Sequence, residues 1–249
     1  MRKFAVKFLI YLYIITGKAV SAFVRDEIRK RRMRIWLTSF FCRIGLRPLG
    51  ISTAFSGGDV LKKAGGCLVV CNHMSYLDII IMASMRPFVF VSSVDMHEKP
   101  FVGMMAELGG TYFVERRNAS RLREEIKELA ALMKEGFAVM LFPEGTSTDG
   151  SRVLPFRAPF MESARKAGVP VYPACLKYES IDGKPFGEGN RDLVCWYGDM
   201  EFEPHFEGLF SVERVEASVR IMEPADASHA DRKELGDYLF SEVAAAYHT

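Results

Sequence analysis

The chain has 249 residues, of which 49% are hydrophobic and 12% aromatic. This composition excludes an intrinsically disordered chain and a low-complexity repeat. Its 33 lysines and arginines nearly balance its 31 aspartates and glutamates, so we expect no nucleic-acid partner, because such proteins usually carry a broadly basic surface.

The first 49 residues are predicted to form a membrane-associating helical hairpin, followed by a single domain over residues 50–249. Two apolar segments flank a connector, residues 25–34, that contains six basic and two acidic side chains. The longest charge-free run, residues 8–17, would span only ~15 Å as a helix, against a hydrocarbon core of ~30 Å. We therefore predict a hairpin that enters one leaflet, with its basic side chains at anionic headgroups.

Two other interpretations of this segment stay open. Both helices could simply pack on the domain. Arg2 and Lys3 before an apolar run, with the cleavage-like residues 20–22, would also suit a secretory signal peptide, although Lys7 and Lys18 weaken that interpretation. The five cysteines are an odd number without a C-x-x-C pair or a nearby histidine at zinc-ligand spacing. They favour a reduced chain without a metal site, at the cytoplasmic face of a membrane.

From residue 67 onward, short apolar runs alternate with helical patterns. This alternation predicts an α/β fold with a largely parallel central sheet flanked by helices. The turn-rich residues 179–191 are interpreted as an excursion within the domain. The predicted segments are residues 67–71, 76–85, 88–92, 101–108, 112–114, 120–134, 137–142, 160–167, 171–177, 193–197, 215–222 and about 231–247.

A candidate general base follows the first of these core strands. His73 is expected at the carboxyl end of that strand, and Ser75-x-x-Asp78 has the pattern of a capping box at the start of the next helix. A carboxylate bonded to one imidazole nitrogen fixes the tautomer and leaves the other nitrogen free to accept a proton. The His-x4-Asp spacing alone has low specificity, so a histidine in an ordinary loop at the strand end stays an alternative.

A second motif, Phe142-Pro143-Glu144-Gly145-Thr146-Ser147, follows the predicted strand over residues 137–142. Proline ends strand pairing, glycine permits a tight turn, and the amides with the threonine hydroxyl can hold an anionic or hydroxyl-bearing group. An ordinary turn with a solvated glutamate is the alternative. Residues 145–149 also resemble the nucleophile elbow of a secreted serine hydrolase, but Asp149 stands where that motif needs its last glycine.

Together these motifs resemble the glycerolipid acyltransferase family that includes lysophosphatidic acid acyltransferase. Its first block, N-H-x4-D, matches residues 72–78, and its third block, F-P-E-G-T, matches residues 142–146. The second block, a glycine leading through apolar residues to an arginine, matches residues 110–116. The fourth, V-P-V-x-P, matches residues 169–173. The four blocks occur in the family's order over about residues 72–173.

The resemblance implies a membrane-associated O-acyltransferase. In this family His73 would remove the proton from an acceptor hydroxyl, Asp78 would orient it, and the oxygen would attack the thioester of acyl-CoA or acyl-carrier protein. No other cofactor is implied. The expected acceptor is a lyso-lipid, 1-acyl-sn-glycerol-3-phosphate, giving phosphatidic acid. The implied acceptor-binding residues are Arg116, Glu144, Gly145 and Thr146, and those near the acyl donor are Val169, Pro170, Val171 and Pro173.

The sequence departs from the family's pattern at Ser147, where many members have arginine. A cation that could help Arg116 to bind the acceptor's phosphate is therefore missing, unless Arg152, Arg157 or Lys177 supplies it. The alternative acceptor is a lyso-ornithine or other lyso-aminolipid, or a lysophosphodiester. A non-catalytic lipid-binding protein is a further alternative, but the presence of both His73 and Asp78 counts against it. There is no Walker A or G-x-G-x-x-G run for a nucleotide.

Overall fold

The computed structural model describes residues 1–115, 119–227 and 231–249. Its strands are β1 Ile51–Ser56, β2 Cys67–Cys71, β3 Val89–Ser93, β4 Tyr112–Val114, β5 Ala138–Leu141, β6 Val171–Ile181, β7 Lys184–Pro185 and β8 Val215–Ile221. Its helices are α1 Arg2–Phe23, α2 Glu27–Leu49, α3 Gly58–Lys63, α4 Tyr76–Met85, α5 Val94–His97, α6 Pro100–Leu108, α7 Ala119–Lys134, α8 Met161–Ala167, α9 Phe202–Gly208 and α10 Arg232–His248. Two 3-10 turns, Arg191–Leu193 and Leu209–Ser211, complete the assignment.

The strands of the described ranges form one mixed sheet in the order β1-β8-β6-β2-β5-β3-β4, and β7 pairs with β6. Strands β6, β2, β5, β3 and β4 are parallel to their neighbours in this series. Strand β8 is antiparallel to β6 and parallel to β1. The prediction of a largely parallel sheet flanked by helices is therefore confirmed.

Strand β2 is buried along its whole length because helices cover both faces of the sheet. Val69 packs on one face with Leu77 and Ile81 of α4. Its neighbours along the strand point the other way, and Leu68 packs among side chains of the opposite face such as Leu129 of α7. Burial on both faces explains why the segment reads as an uninterrupted apolar run.

Parallel pairing brings the ends of β2 and β5 to the same edge of the sheet. Val70 is paired with Leu141, so the segments that follow these residues emerge side by side. On the other side of β2, the buried Asn72 amide donates to the carbonyl of Leu176 at 2.9 Å and accepts from its N–H at 2.8 Å. This edge of the sheet therefore gathers the two motifs singled out in the sequence.

Helices α1 and α2 pack on each other, and they also contact α6 and α4, respectively. The Arg2 guanidinium donates to the carbonyls of Pro48, Leu49 and Val212 at 3.2, 2.9 and 2.9 Å, which ties the start of the chain to the domain. The 22-residue α1 is long and apolar enough to cross a membrane. One face of these helices thus packs on the domain, as the alternative interpretation expects.

The structure corrects the sequence prediction in two places. The apolar run at residues 193–197 does not form a strand but follows a 3-10 turn as a loop. Strand β6 continues to Ile181, into the segment interpreted as a turn-rich excursion. Asp182 and Gly183, with φ of 51° and 75°, then reverse the chain into β7, as an Asp-Gly pair does in a two-residue hairpin.

Candidate active site

His73 and Asp78 form a hydrogen-bonded pair at the carboxyl edge of the sheet. The imidazole Nδ1 lies 2.8 Å from Oδ2 of Asp78. Ser75 is the N-cap of α4, and its side chain and that of Asp78 form the predicted capping box. The cap places the carboxylate in the first helical turn, from which it reaches back to the histidine.

Asp78 accepts hydrogen bonds at both oxygens although its side chain is fully buried. Oδ2 also accepts from the backbone N–H groups of Met74 and Ser75 at 2.6 and 2.8 Å. Backbone N–H groups can only donate, so Oδ2 is an acceptor and Nδ1 of His73 is the donor in the pair. The remaining imidazole nitrogen, Nε2, therefore has a lone pair and can accept a proton.

Tyr178 of β6 completes the shell around Asp78, and no sequence pattern predicts this contact. Its hydroxyl donates to Oδ1 at 2.6 Å. Burial, reinforced by the neighbouring carboxylate, raises the pKa of Tyr178 well above its ordinary value, so the phenol stays a neutral donor. The Tyr178 hydroxyl thus gives Oδ1 the hydrogen bond that a buried carboxylate oxygen requires.

The aromatic ring of Phe142 holds the imidazole from one face. Its centroid lies 4.1 Å from that of His73, with the planes inclined by 16°. The His73 side chain is 19% exposed. Stacking on one side and the bond to Asp78 on the other limit rotation of the ring, so Nε2 is held in one direction.

Glu144 connects the two motifs through the backbone. Its Oε1 accepts from the N–H of His73 at 2.6 Å, and its Oε2 accepts from the N–H of Leu154 at 2.7 Å. Burial raises the pKa of the Glu144 carboxyl to about 7, although these two hydrogen bonds act in the opposite direction. Glu144 is only 3% exposed and is not among the residues that border the cavity in the described part of the chain, so its predicted contact with the acceptor stays a prediction.

The turn that follows Glu144 lines the site. Gly145 has a φ of 77°, a left-handed conformation that favours glycine. Gly145, Thr146 and Ser147 all border a cavity that also reaches His73. The Ser147 hydroxyl donates to the carbonyl of Trp196 at 2.5 Å. The predicted turn and the predicted base are thus brought together.

The loop at residues 194–198 closes one side of the site. The N–H of Trp196 donates to the carbonyl of Met74 at 2.8 Å, and its own carbonyl accepts from Ser147. Trp196 therefore bonds to both motifs at once. The apolar character that favours a strand prediction here is explained by the contacts of this loop with the cavity and with the core, where Val194 and Cys195 are buried.

The cavity has a volume of about 510 Å³ and extends from His73 to the N-terminal helices. Its wall is mostly apolar, which suits a hydrocarbon chain. Lining residues from α1, α2 and α6 include Val6, Leu9, Ile10, Tyr13, Phe41, Cys42, Leu49, Phe101, Val102 and Met105. Others include Tyr76, Ile79, Ile80, Phe90, Trp196, Phe202 and Phe206.

The residues predicted near the acyl donor do not border the cavity at His73. Val171 and Pro173 are buried in β6, where Val171 pairs with Leu68 near the start of β2. Neither these two nor Val169 and Pro170 border the cavity in the described part of the chain. Their role near the donor stays a prediction. Arg116 lies outside the described residues, so its role also stays a prediction.

Among the described residues, no group of three or more histidine, cysteine, aspartate or glutamate side chains is placed to hold a metal ion. The five cysteines are free, and four of them are buried. Burial raises the pKa of the Cys71 thiol well above its ordinary value. Its low thiolate content makes it a poor nucleophile. Of the described groups near the cavity, the histidine and carboxylate pair offers the clearest proton-transfer chemistry.

Three comparisons relate the chain to known proteins. The family model described as acyltransferase matches residues 52–177. A lyso-ornithine lipid O-acyltransferase from Brucella abortus is 34% identical over 219 residues, covering 84% of this chain and 80% of that protein. A 1-acyl-sn-glycerol-3-phosphate acyltransferase from Neisseria gonorrhoeae is 28% identical over 190 residues, covering 76% of this chain and 72% of that protein.

A solved structure is also similar along the whole chain. The crystal structure of the 1-acyl-sn-glycerophosphate acyltransferase PlsC from Thermotoga maritima superimposes with a TM-score of 0.68 at 24% sequence identity. The match covers 100% of this chain and 97% of that one. It shows that the two proteins share a fold, including the N-terminal helices.

Proposed function

The chain belongs to the acyltransferase family, and from that premise we propose that it is a lyso-lipid O-acyltransferase. It moves a fatty acyl chain from a thioester to the hydroxyl of a lyso-lipid. The observation that carries the proposal is the His73–Asp78 pair, whose histidine borders a mostly apolar cavity. A base beside an apolar cavity suits a reaction that joins a hydroxyl to a fatty acyl group.

In the proposed reaction, Nε2 of His73 accepts the proton of the acceptor hydroxyl. The hydroxyl oxygen attacks the thioester carbonyl carbon and forms the new C–O bond. The C–S bond then breaks, and the leaving thiolate takes the proton from the imidazolium. Asp78 accepts from Nδ1 throughout and stabilises the transient positive charge on the ring. No covalent acyl-enzyme is required in this reaction.

The donor is proposed to be acyl-CoA or acyl-carrier protein, both of which carry thioesters. Its acyl chain occupies the apolar cavity, whose wall includes α1, α2 and α6. The reaction as written needs no metal or other cofactor. Since α1 and α2 contribute part of this wall, residues 1–49 are expected to be required for substrate binding as well as for membrane attachment.

The principal acceptor we propose is 1-acyl-sn-glycerol-3-phosphate, which yields phosphatidic acid. Its hydroxyl lies against His73, and its polar head lies against Gly145 and Thr146, which border the same cavity. Arg116 is proposed to contribute to the same head-group site. Glu144 supports the turn from behind through its bonds to the backbone of His73 and Leu154.

A second acceptor, a lyso-ornithine lipid, is favoured by a specific observation at Ser147. This serine stands where many family members have arginine, and its hydroxyl is engaged by the carbonyl of Trp196. An acceptor with a carboxylate in place of a doubly charged phosphate needs fewer cations. The Brucella abortus relative carries the name of a lyso-ornithine lipid O-acyltransferase, which agrees with this candidate.

We also propose attachment to the cytoplasmic face of a membrane. Exposed apolar side chains recur at helical spacing on α1, where Phe4, Phe8 and Tyr11 follow one another along one face, and on α2, where Trp36 and Phe40 do so. The basic connector at residues 25–34 suits anionic headgroups. Cytosolic acyl donors and five unpaired cysteines favour the reducing side of the membrane.

A panel assay with purified full-length protein tests the proposed function. A radiolabelled fatty acyl group, carried by CoA or by acyl-carrier protein, is offered with 1-acyl-sn-glycerol-3-phosphate, lyso-ornithine lipid or a lysophosphodiester. We expect acyl transfer to at least one of these acceptors. The transfer rates to 1-acyl-sn-glycerol-3-phosphate and to lyso-ornithine lipid decide between the two candidate acceptors. Absence of transfer to all of them, by protein whose fold is verified by circular dichroism, would contradict the proposal.

A further inference from the structure

The acceptor's anionic group needs a cation near the turn at residues 144–147, and position 147 does not supply one. Ser147 has no charge, and its hydroxyl donates to the carbonyl of Trp196. This bond holds the turn against the loop at residues 194–198. The hydroxyl is thus used inside the protein, and a cation at this turn, in addition to the proposed Arg116, must come from another residue.

We propose that Arg157 binds the anionic group of the acceptor lipid, a phosphate or a carboxylate, at the rim of the cavity. This inference rests on the proposed lyso-lipid acyltransferase function. It assigns the head-group cation to one of the three candidates considered from the sequence. It also predicts that acceptors without an anionic group are bound without help from this residue.

The position of Arg157 is fixed by the turn itself. Its backbone N–H donates to the carbonyl of Pro143 at 2.8 Å. Three residues earlier, the N–H of Leu154 donates to Glu144, whose other oxygen accepts from the backbone N–H of His73. Hydrogen bonds from two backbone N–H groups therefore attach the segment containing Arg157 to the motif that contacts the base.

The guanidinium lies directly against Gly145. A Cβ atom at position 145 would come within 3.1 Å of both Nε and Cζ of Arg157, closer than side chains normally approach. The glycine therefore leaves room for the guanidinium as well as permitting the positive φ. Gly145 borders the cavity that reaches His73, so the guanidinium lies next to a residue of the cavity wall.

The charge of Arg157 is also available for a ligand. Its side chain is exposed, and no hydrogen bond or ion pair joins the guanidinium to another residue in the described part of the chain. By contrast, Arg191 in the neighbouring loop pairs with Asp149 at 3.0 Å. A guanidinium presents several N–H donors in one plane, which suits bidentate binding of a phosphate or carboxylate.

Steady-state kinetics of full-length Arg157→Ala and Arg157→Lys test the inference. The probes are 1-acyl-sn-glycerol-3-phosphate, lyso-ornithine lipid and a monoacylglycerol, which offers a glycerol hydroxyl without an anionic group. Arg152→Ala removes the same charge from an exposed position in the same segment and is the matched control. Circular dichroism establishes that each variant is folded, and Arg157→Lys retains the charge if the alanine variant does not fold.

We expect Arg157→Ala to raise the KM for the anionic acceptor that wild type uses by about 10- to 100-fold, as loss of a charge-assisted hydrogen bond would. The KM values for the donor and for the monoacylglycerol should not change, and Arg157→Lys should fall between wild type and Arg157→Ala. An unchanged KM for the anionic acceptor would overturn the assignment. So would an equal rise with the monoacylglycerol or in Arg152→Ala. Lack of transfer by wild type to every acceptor would instead refute the proposed function, and this inference with it.

Discussion

The hydroxyl of Tyr178 donates to Oδ1 of Asp78 over 2.6 Å, although the two residues are 100 positions apart in the sequence. The other carboxylate oxygen accepts from His73 and from two backbone N–H groups. The tyrosine thus completes the hydrogen bonding of a fully buried charge. Substitution of Tyr178 tests whether the hydrogen bonds to Asp78 hold His73 in position.

Tyr178→Phe keeps the shape of the side chain but leaves Oδ1 without its donor. We expect the free energy of unfolding to fall by about 1–3 kcal/mol and kcat to fall about tenfold, with little change in either KM, because the base loses alignment and substrate contacts stay. Urea unfolding and steady-state kinetics measure both effects. Tyr172→Phe, on the same strand, is the control. Retention of both wild-type stability and wild-type kcat by Tyr178→Phe would contradict this role.

Asn72 is expected to be important for stability because its amide spans the gap between two strands. It makes two hydrogen bonds to the backbone of Leu176 in a buried position. Asn72→Ala leaves both backbone groups without these partners, so we expect a loss of about 2–4 kcal/mol in urea unfolding. Asn190 also bonds to two backbone groups, at Pro185 and Gly187, in a loop open to water. Asn190→Ala should therefore cost less than Asn72→Ala, and equal losses would count against the interpretation.

Glu144 links stability to pH. Its carboxyl has a pKa raised by burial from 4.5 to about 7, so the folded protein holds this proton more tightly than the unfolded chain. The stabilisation of the folded protein by this bound proton is fully present below pH 4.5 and is lost as the pH rises towards about 7. We therefore expect the stability of wild type relative to Glu144→Gln to fall by about 1–3 kcal/mol between pH 4.5 and pH 8.

Urea unfolding of both proteins across this pH range measures the effect. The same pair is compared in a background carrying His73→Gln, which removes the titration of the nearby imidazole. A difference in stability that is constant with pH, or that grows as the pH rises, would contradict the assignment of a raised pKa to Glu144.

The apolar face of α1 and α2 is expected to bind membranes mainly through burial of its side chains. The double variant Trp36→Asp and Phe40→Asp introduces charge on this exposed face and should lower the fraction of protein that sediments with anionic liposomes. Wild type should still sediment in high salt, because screening weakens headgroup attraction far more than apolar burial. Tyr238→Asp changes an exposed aromatic residue of α10 and is the control. Release of wild type by salt alone would contradict the proposed attachment.

Part of the sheet can be predicted because strands such as β2 and β5 are short and continuously apolar. The bounds predicted for strand β2 and helix α4 are the bounds observed. The pairing of His73 with Asp78 is also accessible, because a capping box brings a carboxylate back to the residues just before the helix. These features depend on local sequence, so a pattern of about ten residues is enough to predict them.

The rest of the site depends on contacts between distant segments. Tyr178 contacts Asp78 because the order of strands places β6 beside β2. Trp196 contacts the motifs from a loop. No local sequence pattern indicates either contact. The apolar run around Trp196 resembles a strand because burial against a cavity and burial in a sheet favour similar residues. The family resemblance predicts that Glu144 holds the acceptor, but its carboxylate bonds to backbone N–H groups behind His73.

The central claim is that His73 is the base for acyl transfer to a lyso-lipid, and single-turnover transfer by His73→Ala tests it most directly. Labelled acyl donor and the preferred acceptor are mixed with excess enzyme, so that only the chemical step is measured. His97→Ala is the control, because His97 also lies near a carboxylate, 3.6 Å from Oε2 of Glu107, but on the surface. We expect folded His73→Ala to transfer the acyl chain about 10²- to 10⁴-fold more slowly than wild type, and His97→Ala to resemble wild type. Near-normal transfer by folded His73→Ala would contradict the account.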